Sequence, residues 1–434
     1  RWPKTATAAT CWGCCAMAGS ANESYGHRAE KFISSCRHRR LITHDVFMKS
    51  DNCRVLSSLR AVRLFLAPKW PSALRAEQQR QGSYVPALDG LRGLAVLLVV
   101  LFHAAVPPFQ GGFVGVDMFF VLSGYLITNL LLQECQQQGR IDFGRFYLRR
   151  FLRLMPALLF MTAIFALVAS WRLEGEPLRQ ALGEIPWAVS YLANWARAWD
   201  LRPMVYLAHT WSLAIEEQFY LLWPVVLLWT ARRGGAGCTL GLALALALAS
   251  WGWRIVLTLD GAAVTRLYNG LDTRVDALMW GCVLAAWIRH GLAWRDMRWL
   301  GPLSVGALLT LLLCACLLDW QSQSLYLGAG AGAAWLTAFL ILDLTQNPAS
   351  LLRRIFECKP LVALGVLSYG VYLWHVTVYT FLFRQGVDWT YIQIWGTAAA
   401  LLLAFVSWQW VERPCLRLKV KWSSGSGDAF NPKS

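Results

Sequence analysis

Charge is what this sequence has least of. Only 15% of its 434 residues are charged, against roughly 25% in soluble domains. With 56% hydrophobic residues, there is too little polar surface to cover a globule, which excludes an ordinary soluble domain. Acidic residues are scarcer than basic ones, 25 against 41. The basic side chains do not gather on one soluble face of the kind that holds nucleic acid. They stand in short runs between apolar stretches, which is a topology signal and points to a lipid bilayer as the partner. A disulfide framework is missing as well. The twelve cysteines are scattered, and Cys282, Cys314 and Cys316 fall inside apolar segments, where cysteine acts as a small hydrophobe. Ordered metal-ligand spacing is also wanting: Cys11-x-x-Cys14 with His38 and His44 lacks the paired ligands of a zinc site, so no metal is expected.

Residues 1–80 have neither a membrane-spanning run nor the charged and apolar regions of a secretory signal. They are expected to form a basic, disordered, cytoplasmic extension. Residues 81–420 are expected to be the transmembrane domain, followed by a short cytoplasmic tail, 421–434. Crossing a bilayer takes about 20 apolar helical residues. Ten stretches qualify, near 91–108, 113–134, 154–171, 210–230, 238–258, 267–289, 302–318, 326–343, 361–383 and 391–411. The expected fold is therefore all-α, a polytopic bundle of about ten transmembrane helices. A shorter apolar stretch, 185–199, is interrupted by Asn194 and Arg197. Counting it as a crossing would place Arg232, Arg233 and the basic loops after them on the wrong side, because cytoplasmic loops collect Lys and Arg. With ten spans, both termini are expected in the cytoplasm.

Ionisable residues within spans are costly, so each is a candidate functional group. The first span contains Arg92 and His103, separated by about 16 Å along the axis at the helical rise of 1.5 Å per residue. His103 and Asp117 lie seven residues either side of the turn centred on Gln110, which puts them at one depth in a helical hairpin. A carboxylate there would fix the imidazole tautomer and raise its basicity, as a general base requires. The alternative is a structural pair joining the two helices. In the fourth span Ser212, Glu216 and Tyr220 recur every four residues and share a face, with His209 one turn earlier. Glu216 is expected to face the cavity at about the depth of His103, and its neighbour Glu217 to make a structural interhelical bond. In the sixth span Arg274 can pair with either Asp272 or Asp276. Arg145, Arg149 and Arg153 form a stripe at the cytoplasmic surface. Guanidinium groups so placed suit bidentate binding of phosphate, though positive-inside sorting or anionic lipid would also place arginines there.

Tyr84–Gly93 through His103 resembles the opening Arg-x10-His motif of acyltransferase family 3, a family of membrane-bound O-acyltransferases. The segments Gly115–Gly124, Trp211–Tyr220, Thr273–Gly281, Ser368–His375 and Val411–Pro414 resemble further family segments, in order and in register over residues 84–420. The resemblance implies transfer of an acyl group, usually acetyl, from cytoplasmic acyl-CoA to a hydroxyl of a carbohydrate or glycoconjugate acceptor, often outside the membrane. The site would lie in the cytoplasmic (inner) membrane of a bacterium. The resemblance makes Arg92 and His103 the catalytic motif pair, with Asp117 and Glu216 as further catalytic candidates. It matches Arg149 and Arg153 to a donor-side basic motif, and His209, Ser212, Tyr220 and His375 become candidates for holding substrate. Some relatives carry an SGNH-type esterase domain after the last span. Here the Ser/Gly-rich tail ends at Ser434, so the membrane domain is expected to complete the transfer alone. A transporter of an acylated or anionic solute is the rival class, but the inverted repeats common in transporters are not seen in the sequence.

Overall fold

The computed structural model describes residues 84–291 and 299–424. The 1–80 extension, with its Cys11, Cys14, His38 and His44 pattern, lies outside the described residues, as does most of the 421–434 tail.

The elements, in chain order, are α1 (Pro86–His103), α2 (Val114–Gln138), α3 (Phe143–Arg172), α4 (Gly175–Val189), α5 (Ala193–Ala198) and α6 (Thr210–Leu259). They continue with α7 (Val264–Asn269), α8 (Leu271–Arg289), α9 (Leu300–Leu317), α10 (Leu325–Gln346), α11 (Leu351–Phe356), α12 (Lys359–Arg384) and α13 (Trp389–Leu418). Among the described residues eight helices are long and apolar enough to cross a membrane. One of these, α6, makes two passes. Its 50 residues break at Gly234 and Gly235, where Gly235 has a φ of 61° that a side-chain-bearing residue rarely adopts. The chain folds back there, since the Thr230 and Thr239 hydroxyls are 2.8 Å apart, whereas nine residues of straight helix rise about 13.5 Å. The 19-residue α8 adds a further segment of sufficient length. Its acidic and basic residues keep it from reading as purely apolar, and all but Asp272 and Arg289 of them are buried against neighbouring helices. This gives the ten helical segments expected from the sequence, in a polytopic all-α membrane bundle.

Two boundaries differ from expectation in a useful way. The third helix begins at Phe143, about three turns before its apolar run, because Asp142 caps it by accepting the Arg145 backbone N–H. Its arginines therefore sit on a rigid helical extension rather than a loop. The 185–199 stretch does not cross. It divides into α4 and α5 around a turn at Ser190–Leu192, and both pieces are too short to span.

The inner helices pack backbone to backbone. α8 lies between α2 and α6, and α12 lies against α1 and α13. Glycine makes this possible, because without a hydrophobic driving force between helices in lipid, close approach and dispersion hold the bundle together. A Cβ on Gly124 of α2 would fall 1.9 Å from the Leu278 carbonyl oxygen of α8, and one on Gly365 of α12 would fall 1.7 Å from the Asp89 carbonyl oxygen of α1. Gly124→Ala should therefore push α2 off α8 and destabilise the fold by about 1–3 kcal/mol, the usual cost of overpacking. A thermal-shift measurement in detergent checks this. Gly306→Ala, where the added Cβ meets nothing within 4 Å, is the control and should leave the midpoint unchanged.

Candidate active site

The site is built from two layers of side chains carried by α1, α2, α3, α6, α12 and α13. The upper layer gathers three histidines from three different elements. His103 ends α1, His209 precedes the first residue of α6, and His375 lies midway along α12. The ring centroids of His103 and His375 are 5.0 Å apart, and those of His209 and His375 are 5.9 Å apart. Tyr372, one turn below His375 on the same face, lies between α12 and α6. Its hydroxyl is 2.5 Å from Ser212 Oγ and donates to the His209 carbonyl oxygen at 3.0 Å.

Backbone carbonyls assign the tautomers. His375 Nδ1 lies 3.0 Å from the Val371 oxygen, and a carbonyl can only accept, so Nδ1 carries the proton and Nε2 the lone pair. His375 Nε2 is 3.3 Å from His103 Nδ1, which also lies 2.9 Å from the Val99 oxygen. Both partners of His103 Nδ1 are acceptors, so that nitrogen is the donor and the lone pair of His103 stands on Nε2. His209 is set the other way round. Its Nε2 donates to the Leu373 carbonyl at 3.0 Å, which leaves Nδ1 as an acceptor, buried and with no hydrogen-bond partner.

The lower layer is charged. Glu216, one turn below Ser212 on α6, accepts a 2.6 Å hydrogen bond from Ser123 of α2, and Ser123 accepts one of 2.9 Å from Tyr220. The Arg150 guanidinium stacks 4.3 Å from the centre of the Tyr220 ring. Glu216 senses the charges of Arg150, Arg92 and Arg153, and Arg153 in turn senses Arg92, Arg150 and Asp89. Arg92 is held by Asp89 at 2.9 Å, and Asp89 also accepts from the Tyr84 hydroxyl at 3.0 Å. Glu412, buried near the end of α13, accepts from Ser407 and also senses the charge of Arg153. The lower layer is thus a set of arginines held between carboxylates, about three helical turns below the histidines along α1.

Several sequence expectations are corrected by this geometry. Asp117 does not hold His103. Its Oδ1 accepts a 2.7 Å bond from Arg274 of α8, and its Oδ2 has no hydrogen-bond partner. A guanidinium neutralises a buried carboxylate with a full charge and a directed hydrogen bond, which a neutral imidazole cannot match. Arg274 therefore pairs with neither Asp272 nor Asp276. Asp276 takes a bidentate pair from Arg254 at 2.8 and 2.7 Å, and Asp272 binds Arg266. Glu216 lies in the arginine layer rather than at the depth of His103, and it is Glu216, not Glu217, that bonds across to another helix. Glu217 Oε1 has no hydrogen-bond partner.

Of the stripe Arg145, Arg149 and Arg153, only Arg153 is among the charges acting most strongly on Glu216. Its companion there is Arg150, three residues earlier and so on the same face. The remaining candidates are brought together: Ser212, His209 and His375 in the upper layer, Tyr220 and Arg92 in the lower. Ser123, Arg150, Tyr372 and Glu412 were missed. Ser123 and Tyr372 lie within the segments Gly115–Gly124 and Ser368–His375, and Arg150 adjoins the basic stripe, so each was adjacent to a signal already present. Among the described residues no set of three or more His, Cys, Asp or Glu side chains is arranged to hold a metal ion.

Residues 85–412 match the model of a family described as an acyltransferase domain. Over 356 residues the chain is 33% identical to the O-acetyltransferase OatA of Staphylococcus aureus (strain NCTC 8325 / PS 47), an alignment covering 78% of this chain and 58% of that protein. Over 354 residues it is 34% identical to the peptidoglycan O-acetyltransferase OatA of Listeria monocytogenes serovar 1/2a, covering 76% of this chain and 56% of the relative. The chain therefore spans somewhat more than half the length of these curated relatives. No solved structure matches it.

Proposed function

Because this chain belongs to the acyltransferase family, we propose that it is a membrane O-acyltransferase that moves an acetyl group from acyl-CoA, bound from the cytoplasm, to a hydroxyl of a carbohydrate acceptor on the far side of a bacterial inner membrane. The peptidoglycan named for the Listeria relative is the first acceptor to try. The observation that carries the reading is His103, whose Nδ1 contacts with the Val99 carbonyl and with His375 put the lone pair on Nε2, in a buried layer lying above an arginine-lined one. The arginine clusters Arg140–Arg153 and Arg353–Lys359 support a cytoplasmic location for the lower layer and for both termini.

In this mechanism the phosphates of coenzyme A bind Arg150, Arg153 and Arg92, with guanidinium groups matching phosphate geometry bidentately. The acyl arm then reaches up the bundle toward His103. His103 Nε2 takes the proton of the acceptor hydroxyl as the oxygen attacks the thioester carbonyl. The C–O bond forms, the C–S bond breaks, and the imidazolium returns its proton to the departing thiolate. His375 accepts from His103 Nδ1 throughout and stabilises the charge that develops on that ring, the orienting role that a carboxylate plays in other bases. An acyl-histidine intermediate on Nε2 uses the same tautomer and gives the same net reaction.

If the lower layer is the donor site, Arg150→Gln with Arg153→Gln should raise the apparent KM for acetyl-CoA at least tenfold with a smaller change in kcat. Lysine at both positions should recover only part of this, because the bidentate geometry is lost. Steady-state kinetics of the purified variants against acetyl-CoA measures both. Arg145→Gln, outside the cluster, should leave KM within twofold, and an unchanged KM in the double variant would leave these arginines a topological role only.

A further inference from the structure

The structure holds a buried carboxylate that the mechanism above does not use. Glu184, on α4, is fully buried, although α4 lies outside the membrane-spanning helices. Its two oxygens accept the backbone N–H groups of Val205 and Leu207, both at 2.8 Å. Those residues belong to the turn that delivers the chain into α6. The Leu207 carbonyl accepts from the Thr210 backbone N–H at 3.0 Å and from the Thr210 hydroxyl at 2.7 Å, and so forms the start of that helix. His209 lies between them. The far side of the same turn is held by Arg197 of α5, which donates to the Met204 carbonyl at 3.2 Å and to Asn269 Oδ1 at 2.9 Å. The turn is therefore clamped from two directions, a carboxylate on its N–H groups and a guanidinium on its carbonyl.

Two arguments indicate that this clamp serves the site rather than the fold. First, burial raises the Glu184 carboxyl from 4.5 to about 7, despite the opposing pull of the turn's N–H groups and of Arg197. For a carboxylate raised in the folded state, the folded protein binds the extra proton between those two values, so stability falls as pH rises through that window. The ionised clamp is thus kept at a cost to stability. Second, the ionised carboxylate offers a strong acceptor to each N–H group, whereas protonation turns one oxygen into a hydroxyl, a weaker acceptor, and loosens its hold on one side of the turn. The charged side chain acting on Glu184 is Arg197 from α5, and Tyr206 within the turn couples to Glu184; Arg384 from the end of α12 acts on Tyr206, and Arg202 folds over Gly183, the neighbour of Glu184 on α4.

We propose that Glu184 is a positioning residue for the acceptor side of the site: ionised, it holds the 204–207 turn so that His209 stays seated against His375, and acyl transfer follows the acidity of the medium at that face. The inference rests on the acyltransferase reading. His209 then presents its buried Nδ1 acceptor to a hydroxyl of the incoming carbohydrate. Loss of the clamp lowers turnover with acceptor while leaving donor binding in the arginine layer alone.

The test is the pH profile of acetyl transfer from acetyl-CoA to a soluble muropeptide or glycan oligomer, in proteoliposomes between pH 5.5 and 8.5, for wild type, Glu184→Gln and Glu184→Asp. Wild type should show an acid limb with a midpoint near 7 that levels off about tenfold below the rate at pH 8. Glu184→Gln should lose that limb and run at pH 8 about tenfold below wild type, with the KM for acetyl-CoA within twofold. Glu184→Asp, which keeps the charge on a shorter arm, should retain a limb and part of the rate. A wild-type profile flat from pH 6 to 8 overturns the inference even where a variant fails to insert, and so does a Glu184→Gln profile parallel to wild type. Absence of transfer by wild type at every pH would instead overturn the acyltransferase reading on which it rests.

Discussion

His103→Ala should lose acyl transfer to the limit of detection, while the protein inserts normally and binds acetyl-CoA with unchanged affinity. The substitution removes the ring whose Nε2 lone pair takes the hydroxyl proton, and general-base assistance alone is worth about 10²–10⁴-fold. If the ring also carries the acyl group, nothing else in the layer replaces it. The side chain is partly buried at the end of α1, so truncation leaves a small polar void rather than an unpaired charge, and the fold should tolerate it. His375→Ala should cost less, about 10–100-fold, because it removes the acceptor for His103 Nδ1 but leaves the Val99 carbonyl to hold the tautomer. His375→Gln, which keeps an acceptor oxygen, should recover part of the rate. Isotope-labelled acetyl transfer at saturating donor, with equilibrium binding measured in parallel, separates these effects. Wild-type turnover in His103→Ala would move the base elsewhere, and His209 Nδ1 would be the next acceptor to examine.

The second large effect is on folding, and it concerns Asp117. Arg274 and Asp117 form an ion pair with each side chain only 2% exposed, and the guanidinium is surrounded by the rings of Tyr268, Trp211 and Phe120 at 5.1–6.0 Å. Removing one partner of a buried pair leaves an uncompensated charge, at a cost of about 3–5 kcal/mol. Arg274→Met and Asp117→Leu should each reduce the amount of folded protein in the membrane severely. The double variant should be recovered at a level much closer to wild type, because an apolar pair of similar volume leaves no orphan charge. Fluorescence-detected size exclusion of the four proteins reads this cycle. If the double variant is as poorly folded as the worse single variant, the pair does more than neutralise itself, and its contacts with the aromatic rings become the place to look.

How much was legible in the sequence depended on what kind of fact it was. Span positions were legible because apolar length is a property of the chain alone. The reversal at Gly234–Gly235 fell between two apolar runs beside Arg232 and Arg233, where a cytoplasmic turn was expected. Depth was partly legible from helical rise, which placed Arg92 and His103 in separate layers. Rotation about the helix axis was not. His103 and Asp117 were placed at one level by counting from Gln110, but residues at one depth meet only if their helices turn them toward each other, and α8 supplied Asp117 with a better partner from 157 residues away. The same uncertainty of rotation exchanged the expected roles of Glu216 and Glu217. It also hid Arg150, because Arg145–Arg149–Arg153 and Arg150–Arg153 are both helical stripes, and it is the contact of Arg150 with the Tyr220 ring of α6 that selects between them. His375 was recognised as a site candidate, but its place as the partner of His103 came from a helix 272 residues further along, beyond anything periodicity records.

The most direct test of the central claim is reconstitution of the purified chain into proteoliposomes, with labelled acetyl-CoA confined to the side of the arginine layer and a glycan oligomer to the other. The account predicts label on the glycan as an ester that hydroxylamine releases, one free thiol of coenzyme A on the donor side for each ester formed, and neither product with His103→Ala. Label crossing as free acetate or intact donor, with no ester on the glycan and no thiol released, would contradict it and favour a transporter.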